Sequence, residues 1–242
     1  MSVLRKVGFF HFGSRVTGAD PIESLRASLL EASRKDDLGE CLVVTPEAFN
    51  VVGDYNNPKC RCPDGLIWES LREMSVKCGV AFVAGLIEDP SYRELGYSST
   101  YVIDAGVHEL LSRKMKPDTS GLYKPCASNY DKPLFHRGIC IAALICVDGL
   151  MFNHNVPSDR QSALLQRINA CNAARKVLCI PAHADEYDTR AVACNWFLAA
   201  SLNVVVANSS PLQPSVIQNG GKVDDESRCA GQGNEVRFAA LA

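Results

Sequence analysis

The 242-residue sequence has no long apolar run near its start, no excess of either charge, no Cys-X-X-Cys pair, no internal repeat and no low-complexity tract. Each absence narrows the reading. Within the first thirty residues the apolar run is 7–10, followed by His11, Phe12 and Gly13. That is too short for a signal-peptide core or a membrane span, so a cytoplasmic protein is expected. A net charge of −2, with Lys and Arg spread along the chain, leaves no footprint for nucleic acid or an anionic membrane, and a small-molecule partner is expected instead. Structural zinc sites use paired ligand spacings, which Cys60-Arg61-Cys62 with Cys41 or Cys78 lacks. No linker divides the chain, so one compact domain over 1–242 is the expectation.

What is present is an alternation of short apolar runs with helical patterns. Runs at 7–10, 42–45, 80–87, 139–146, 177–180, 204–207 and, more weakly, 236–240 read as strands. Asp20-Pro21-Ile22-Glu23 supplies an N-cap, a proline at the first helical position and a capping-box carboxylate, after which Ile22, Leu25 and Leu29 share a face. Ile67, Leu71, Met74 and Cys78 keep helical spacing, Ser158-Asp159-Arg160-Gln161 opens a helix carrying Leu164, Ile168 and Cys171, and 188–201 gives a further helix. Residues 98–103 and 109–112 flank Ala105-Gly106 as a hairpin, so an antiparallel pair joins the sheet. Residues 117–133, with three prolines and no period, form a loop of the length that often carries function. Residues 218–233, polar and glycine-rich, read as mobile surface. The class is α/β. Eleven cysteines in a chain of this length read as reduced thiols, many of them, such as Cys140, Cys171, Cys179 and Cys194, sitting as small hydrophobes in apolar segments.

Three chemically capable residues close three strands. Thr45-Pro46-Glu47 ends the second, Arg113-Lys114 ends the hairpin, and Cys146-Val147-Asp148 ends the run Ile-Cys-Ile-Ala-Ala-Leu-Ile-Cys, whose lack of polar alternation fits a strand covered on both faces. Ligands in open α/β sheets gather beyond the carboxyl ends of strands, where loops converge on a rigid scaffold. Taken singly, a Glu or Lys after a strand is an ordinary solvated residue and a lone Cys an inert buried one. The three together suggest a site.

The strings around them resemble a known family. Val43-Val44-Thr45-Pro46-Glu47-Ala48-Phe49 resembles the Pro-Glu motif of the nitrilase superfamily of carbon–nitrogen hydrolases, Ser112-Arg113-Lys114-Met115-Lys116-Pro117 is similar to its Arg-Lys motif, and Gly138 to Asp148 resembles its strand ending in Ile-Cys-X-Asp. Pro181-Ala182, Trp196 and Asn203 to Ser209 look like its later helix and strand, so the resemblance spans nearly the whole chain. It implies a four-layer α-β-β-α sandwich with mixed sheets, pairing into homodimers or higher homo-oligomers, and no metal or organic cofactor. It also implies Cys146 as nucleophile, Glu47 as general base and Lys114 with the Val147 N–H as oxyanion donors, cleaving an amide or N-carbamoyl bond ahead of a nitrile through a thioester. Phe152, His183 and Asn208 are candidate substrate contacts, and Asp148 is read either as a brace accepting backbone N–H groups or as a plain turn residue.

Two departures from the family pattern stand out. No Glu occurs from 115 to 145, where the family carries a second carboxylate, leaving Asp131 as nearest substitute and Asp118 as its rival. Gly149-Leu150-Met151-Phe152-Asn153 replaces the family's Phe-Pro-Glu segment. A member of the fold that binds a ligand or partner without turnover therefore stays open, as does a Cys–His pairing through His183.

Overall fold

The computed structural model describes residues 2–12, 20–50, 62–88, 96–116, 123–128, 130–210, 212–219, 222–224 and 234–241. In chain order the elements are β1 (Lys6–Phe12), α1 (Pro21–Ala32), a 3-10 turn (Leu38–Glu40), β2 (Cys41–Val44), α2 (Leu66–Cys78), β3 (Ala81–Ile87), β4 (Ser98–Asp104) and β5 (Val107–Arg113). There follow β6 (Leu134–His136), β7 (Ile139–Ala143), α3 (Val147–Leu150), α4 (Asp159–Ala170), β8 (Arg175–Ala182), α5 (Thr189–Ala200), β9 (Asn203–Asn208), β10 (Val216–Asn219), β11 (Lys222–Asp224) and β12 (Asn234–Ala240).

Two mixed sheets result, with strand orders β12-β1-β2-β3-β4-β5 and β11-β10-β9-β8-β7-β6. Side chains alternate across a strand, so each strand feeds two layers of core. Val7 and Phe9 of β1, Leu42 and Val44 of β2, Ile139 and Ile141 of β7 and Val205 and Ala207 of β9 meet between the sheets. Phe10, Val43 and Phe82 face outward onto Leu25 and Leu29 of α1 and Leu71 of α2, while Leu178, Ile180 and Val206 face Leu164, Ile168 and Trp196 of the helices on the other side. The architecture is the expected four-layer α-β-β-α sandwich. Among the described residues no helix is long and apolar enough to cross a membrane.

The local signals act much as the sequence reading expects. Asp20 caps α1 by accepting from the Ile22 and Glu23 N–H groups, Ser158 and Gln161 close a full capping box, and Asp188 caps α5. Glu23 instead pairs with Arg26 at 2.5 Å. The hairpin turns at Ala105 and Gly106, both with positive φ. Cys78 is exposed, at the end of the α2 stripe rather than in it. Residues 218–233 do not form surface loop throughout, because they begin in β10 and include β11; 220, 221 and 225–233 lie outside the described residues. Residues 139–146 do not form one regular strand. Pairing with β8 ends at Ala143, and the chain then stays alongside through Leu144 N–H to Cys179 and Cys146 N–H to Pro181 (2.8 Å) while its backbone turns.

Trp196 anchors that turn from behind. It is fully buried, stacks on Phe152 at 3.6 Å between ring centroids, and donates its indole N–H to the Gly149 carbonyl at 2.9 Å. Trp196→Ala is expected to lower unfolding stability by about 3–5 kcal/mol, as large-to-small core changes do. Trp196→Phe, which mainly removes the donor, is expected to cost about 1 kcal/mol; urea denaturation of the variants checks both values.

Candidate active site

Glu47 reaches the site because the chain leaving β2 is strapped to two neighbours. Thr45 N–H donates to the Val83 carbonyl, and Glu47 N–H reaches across to the Ala182 carbonyl of the other sheet at 3.4 Å. Asn50 then acts as a surrogate strand residue, its side chain accepting from Ile87 N–H and donating to the Ile87 carbonyl, both at 2.8 Å. Gly85 makes the crossing feasible. A Cβ there would lie 2.7 Å from the Pro181 Cβ, 2.8 Å from the Pro46 carbonyl oxygen and 3.0 Å from the Glu47 Cα.

Lys114 follows β5 and is held by backbone on both sides, its N–H donating to Ser98 and its carbonyl accepting from Cys126. Its ammonium donates to Glu47 Oε1 at 2.8 Å, an oxygen that also accepts from the Ser98 hydroxyl at 3.0 Å. Both side chains are almost completely buried, at 4 % and 6 % exposure. The Tyr123 ring lies 4.9 Å from the Lys114 nitrogen, its negative face toward the cation.

Cys146 is buried, with φ 46° and ψ −121°. These angles match the first central position of a type II′ turn, where glycine dominates. The closing bond of that turn is present, from Asp148 N–H to the Ile145 carbonyl at 3.0 Å. The thiol sits 3.9 Å from the His183 carbonyl. Burial pushes it up to about 12, with the Glu47 carboxylate adding to the rise and the Lys114 ammonium opposing it. Burial and Glu47 outweigh Lys114, so the sulfur is a neutral thiol at neutral pH. Among the described residues the Val147 N–H finds no acceptor.

The remaining residues singled out from sequence divide between this site and its surroundings. Phe152 packs in the outer core against Trp196. Asn208 is fully buried, and its carboxamide is saturated by Ala184 N–H, Ser210 N–H and the Ala184 and Gln213 carbonyls, which leaves it no capacity for a substrate. His183 is exposed beside the thiol, its ring bonded to the Ser209 hydroxyl at 2.8 Å. Asp131 gives its carboxylate to Arg160, at 2.6 Å through each oxygen, and to the Ser112 hydroxyl, whereas the hydrogen bond described for Lys114 goes to Glu47. Asp118 lies outside the described residues. Asp148 does accept backbone N–H groups, but those of Met115 and Lys116 on the far side of the site. Ser98, Tyr123 and Arg160 carry no motif that distinguishes them in the sequence.

Residues 21–224 match the carbon-nitrogen hydrolase family. The chain belongs to that family. Solved structures with the same fold include an amidase from Nesterenkonia sp. AN1, in a double mutant with acrylamide bound, at 15 % identity over 99 % of this chain and 91 % of that one, TM-score 0.65. Saccharomyces cerevisiae Nit3, a member of branch 10 of the nitrilase superfamily, aligns at 15 % identity over 98 % of this chain and 90 % of that one, TM-score 0.68. A CN-hydrolase superfamily protein of Xanthomonas campestris with an arsenic adduct in its active site aligns at 12 % identity over 98 % and 90 %, TM-score 0.66. Among curated proteins none matches this carbon-nitrogen hydrolase.

Three outcomes follow from the geometry. Glu47→Gln removes a charge that raises the Cys146 thiol, so alkylation of Cys146 at fixed pH should accelerate; Lys114→Met removes the opposing charge and should slow it. Site-resolved mass spectrometry after iodoacetamide treatment across a pH series reads both. Gly85→Ala should cost about 1–3 kcal/mol of stability, since backbone must move to admit the methyl, measured by urea unfolding.

Proposed function

We propose that this carbon-nitrogen hydrolase cleaves an amide or N-carbamoyl bond through a thioester on Cys146, with Glu47 as base and acid and Lys114 as oxyanion partner. One observation carries the reading: a buried carboxylate, ammonium and thiol, each from a different strand end, converge with Lys114 at 2.8 Å from Glu47 and both charges acting on the Cys146 sulfur.

A neutral thiol needs a base at the moment of attack. Glu47 takes the Sγ proton as sulfur bonds to the substrate carbonyl carbon, and the charge that builds on the carbonyl oxygen is met by Lys114 and the Val147 N–H. Collapse breaks the carbon–nitrogen bond, and the leaving amine or ammonia takes the proton from Glu47. Water then attacks the thioester, giving its proton to Glu47, and the carbon–sulfur bond breaks to release the acid and restore the thiol with that proton. The buried site favours this cycle because fixed charges act more strongly where water is excluded. The amidase from Nesterenkonia sp. AN1 supports the covalent step by analogy, since one of its mutants shows covalent addition of the acetamide moiety of fluoroacetamide at the active site cysteine. The same reading carries Asp131 as the substitute for the second carboxylate, acting through Arg160. It also carries His183 as a rim contact, one domain over 1–242, a cytoplasmic location and a homodimer or higher homo-oligomer, the last testable by light scattering.

A panel of amides, N-carbamoyl compounds, ureas and nitriles is expected to yield ammonia with at least one amide-type member and an acyl adduct on Cys146 by mass spectrometry. Cys146→Ala should abolish turnover, and Lys114→Met should lower kcat by about 10²–10³-fold, as loss of one oxyanion donor does. No turnover and no adduct with any member would favour a ligand-binding protein on the same fold.

A further inference from the structure

We propose that Arg160 is a positioning residue, which locks the Lys114 strand end against the Cys146 turn. The inference rests on the roles proposed for Lys114 and Cys146. Arg160 stands in the first turn of α4, where the Ser158 and Gln161 capping box fixes the backbone, and its side chain is only 12 % exposed. The guanidinium spans two buried carboxylates. Nε and Nη2 grip the Asp131 oxygens at 2.6 Å each, and Nη1 donates to Asp148 at 2.5 Å. Nη2 also donates to the Arg113 carbonyl at 2.8 Å and to the Ser112 hydroxyl at 3.3 Å.

These contacts fall on both sides of Lys114. Ser112 is held by Asp131 and Arg160; Arg113 is held by Arg160 at its carbonyl and by Glu88 in a two-point pair at its side chain. Met115 and Lys116 donate their N–H groups to the Asp148 carboxylate at 2.7 and 3.2 Å. Asp148 in turn lies two residues beyond Cys146, inside the turn that shapes the thiol. One planar fork therefore ties the backbone bearing the ammonium to the backbone bearing the sulfur, and it does so without touching either group. Lysine cannot replace it, because a single ammonium lacks the fixed directions that reach two carboxylates and a carbonyl together. Misplacement by an ångström is enough to cost a reaction about 10²-fold, which sets the scale for what this tie controls.

The test is a double-mutant cycle read in two ways. In otherwise native protein, Arg160→Met should move the pH profile of Cys146 alkylation upward by about one unit, making alkylation roughly tenfold slower at fixed pH. In a Lys114→Met background the same substitution should move it no further, because its effect runs through the ammonium. Arg160→Lys should give a smaller shift in the same direction, and against a turned-over amide both variants should lose kcat by roughly 10–100-fold with KM little changed. Circular dichroism establishes folding; if Arg160→Met does not fold, Arg160→Lys and Asp131→Asn carry the cycle. Equal shifts with and without Lys114, or no shift, overturn the positioning role. If the native protein turns over no amide, the proposed reaction falls and the alkylation cycle alone still decides the role of Arg160. If it turns over amides and the Arg160 variants match it in kcat and in profile, the positioning role falls and the reaction stands.

Discussion

The Lys114–Glu47 ion pair is the contact around which the rest of the site is arranged. Two opposite charges removed from water are tolerable only when each is the other's partner and the remaining hydrogen-bonding capacity is met. Here the Ser98 hydroxyl and the Tyr123 ring are among those surroundings. The pair also sets the state of the sulfur beside it. Burial keeps the proton on sulfur, with the Glu47 carboxylate reinforcing that effect and the Lys114 ammonium opposing it.

The sandwich makes that contact rigid. Glu47 belongs to one sheet and Cys146 to the other, yet both are tethered to consecutive carbonyls at the end of β8, Ala182 for the acid and Pro181 for the thiol. Gly85 allows the sheets to approach closely at that place. At the opposite end, Asp104 of the β4 hairpin accepts from Arg137 and pairs with His136 of the second sheet. The layers are thus pinned at both ends, and the site occupies one of the pins.

Much of this was legible in the residues. Caps at Asp20, Ser158 and Asp188 are local, and local hydrogen bonds leave local signatures. The strand ends at Glu47 and Cys146 were legible because each follows an apolar run, and that at Lys114 because it follows the Ala105-Gly106 hairpin. Illegible were contacts that join distant elements without any period, and Arg160 is the clearest case, binding partners 12 to 48 residues away. The placements of Phe152 and Asn208 were illegible for a related reason: a side chain just past a strand end can turn inward to the helix layer or clip a loop, and residue type does not distinguish these. The protonation of Cys146 is not legible either, because spacing reports which charges are near but not how much water is excluded.

The dihedral angles at Cys146 have a consequence for how this protein ages under mutation. A side chain held at φ 46° costs on the order of 1–3 kcal/mol relative to a residue without one. Glycine at that point would relax the turn and make the fold sturdier while deleting the sulfur. On the proposed reaction, robustness and reactivity are therefore set against each other at a single residue, so a lineage freed from that chemistry would gain by discarding the thiol first, and a chain that still carries it there bears a standing mechanical burden.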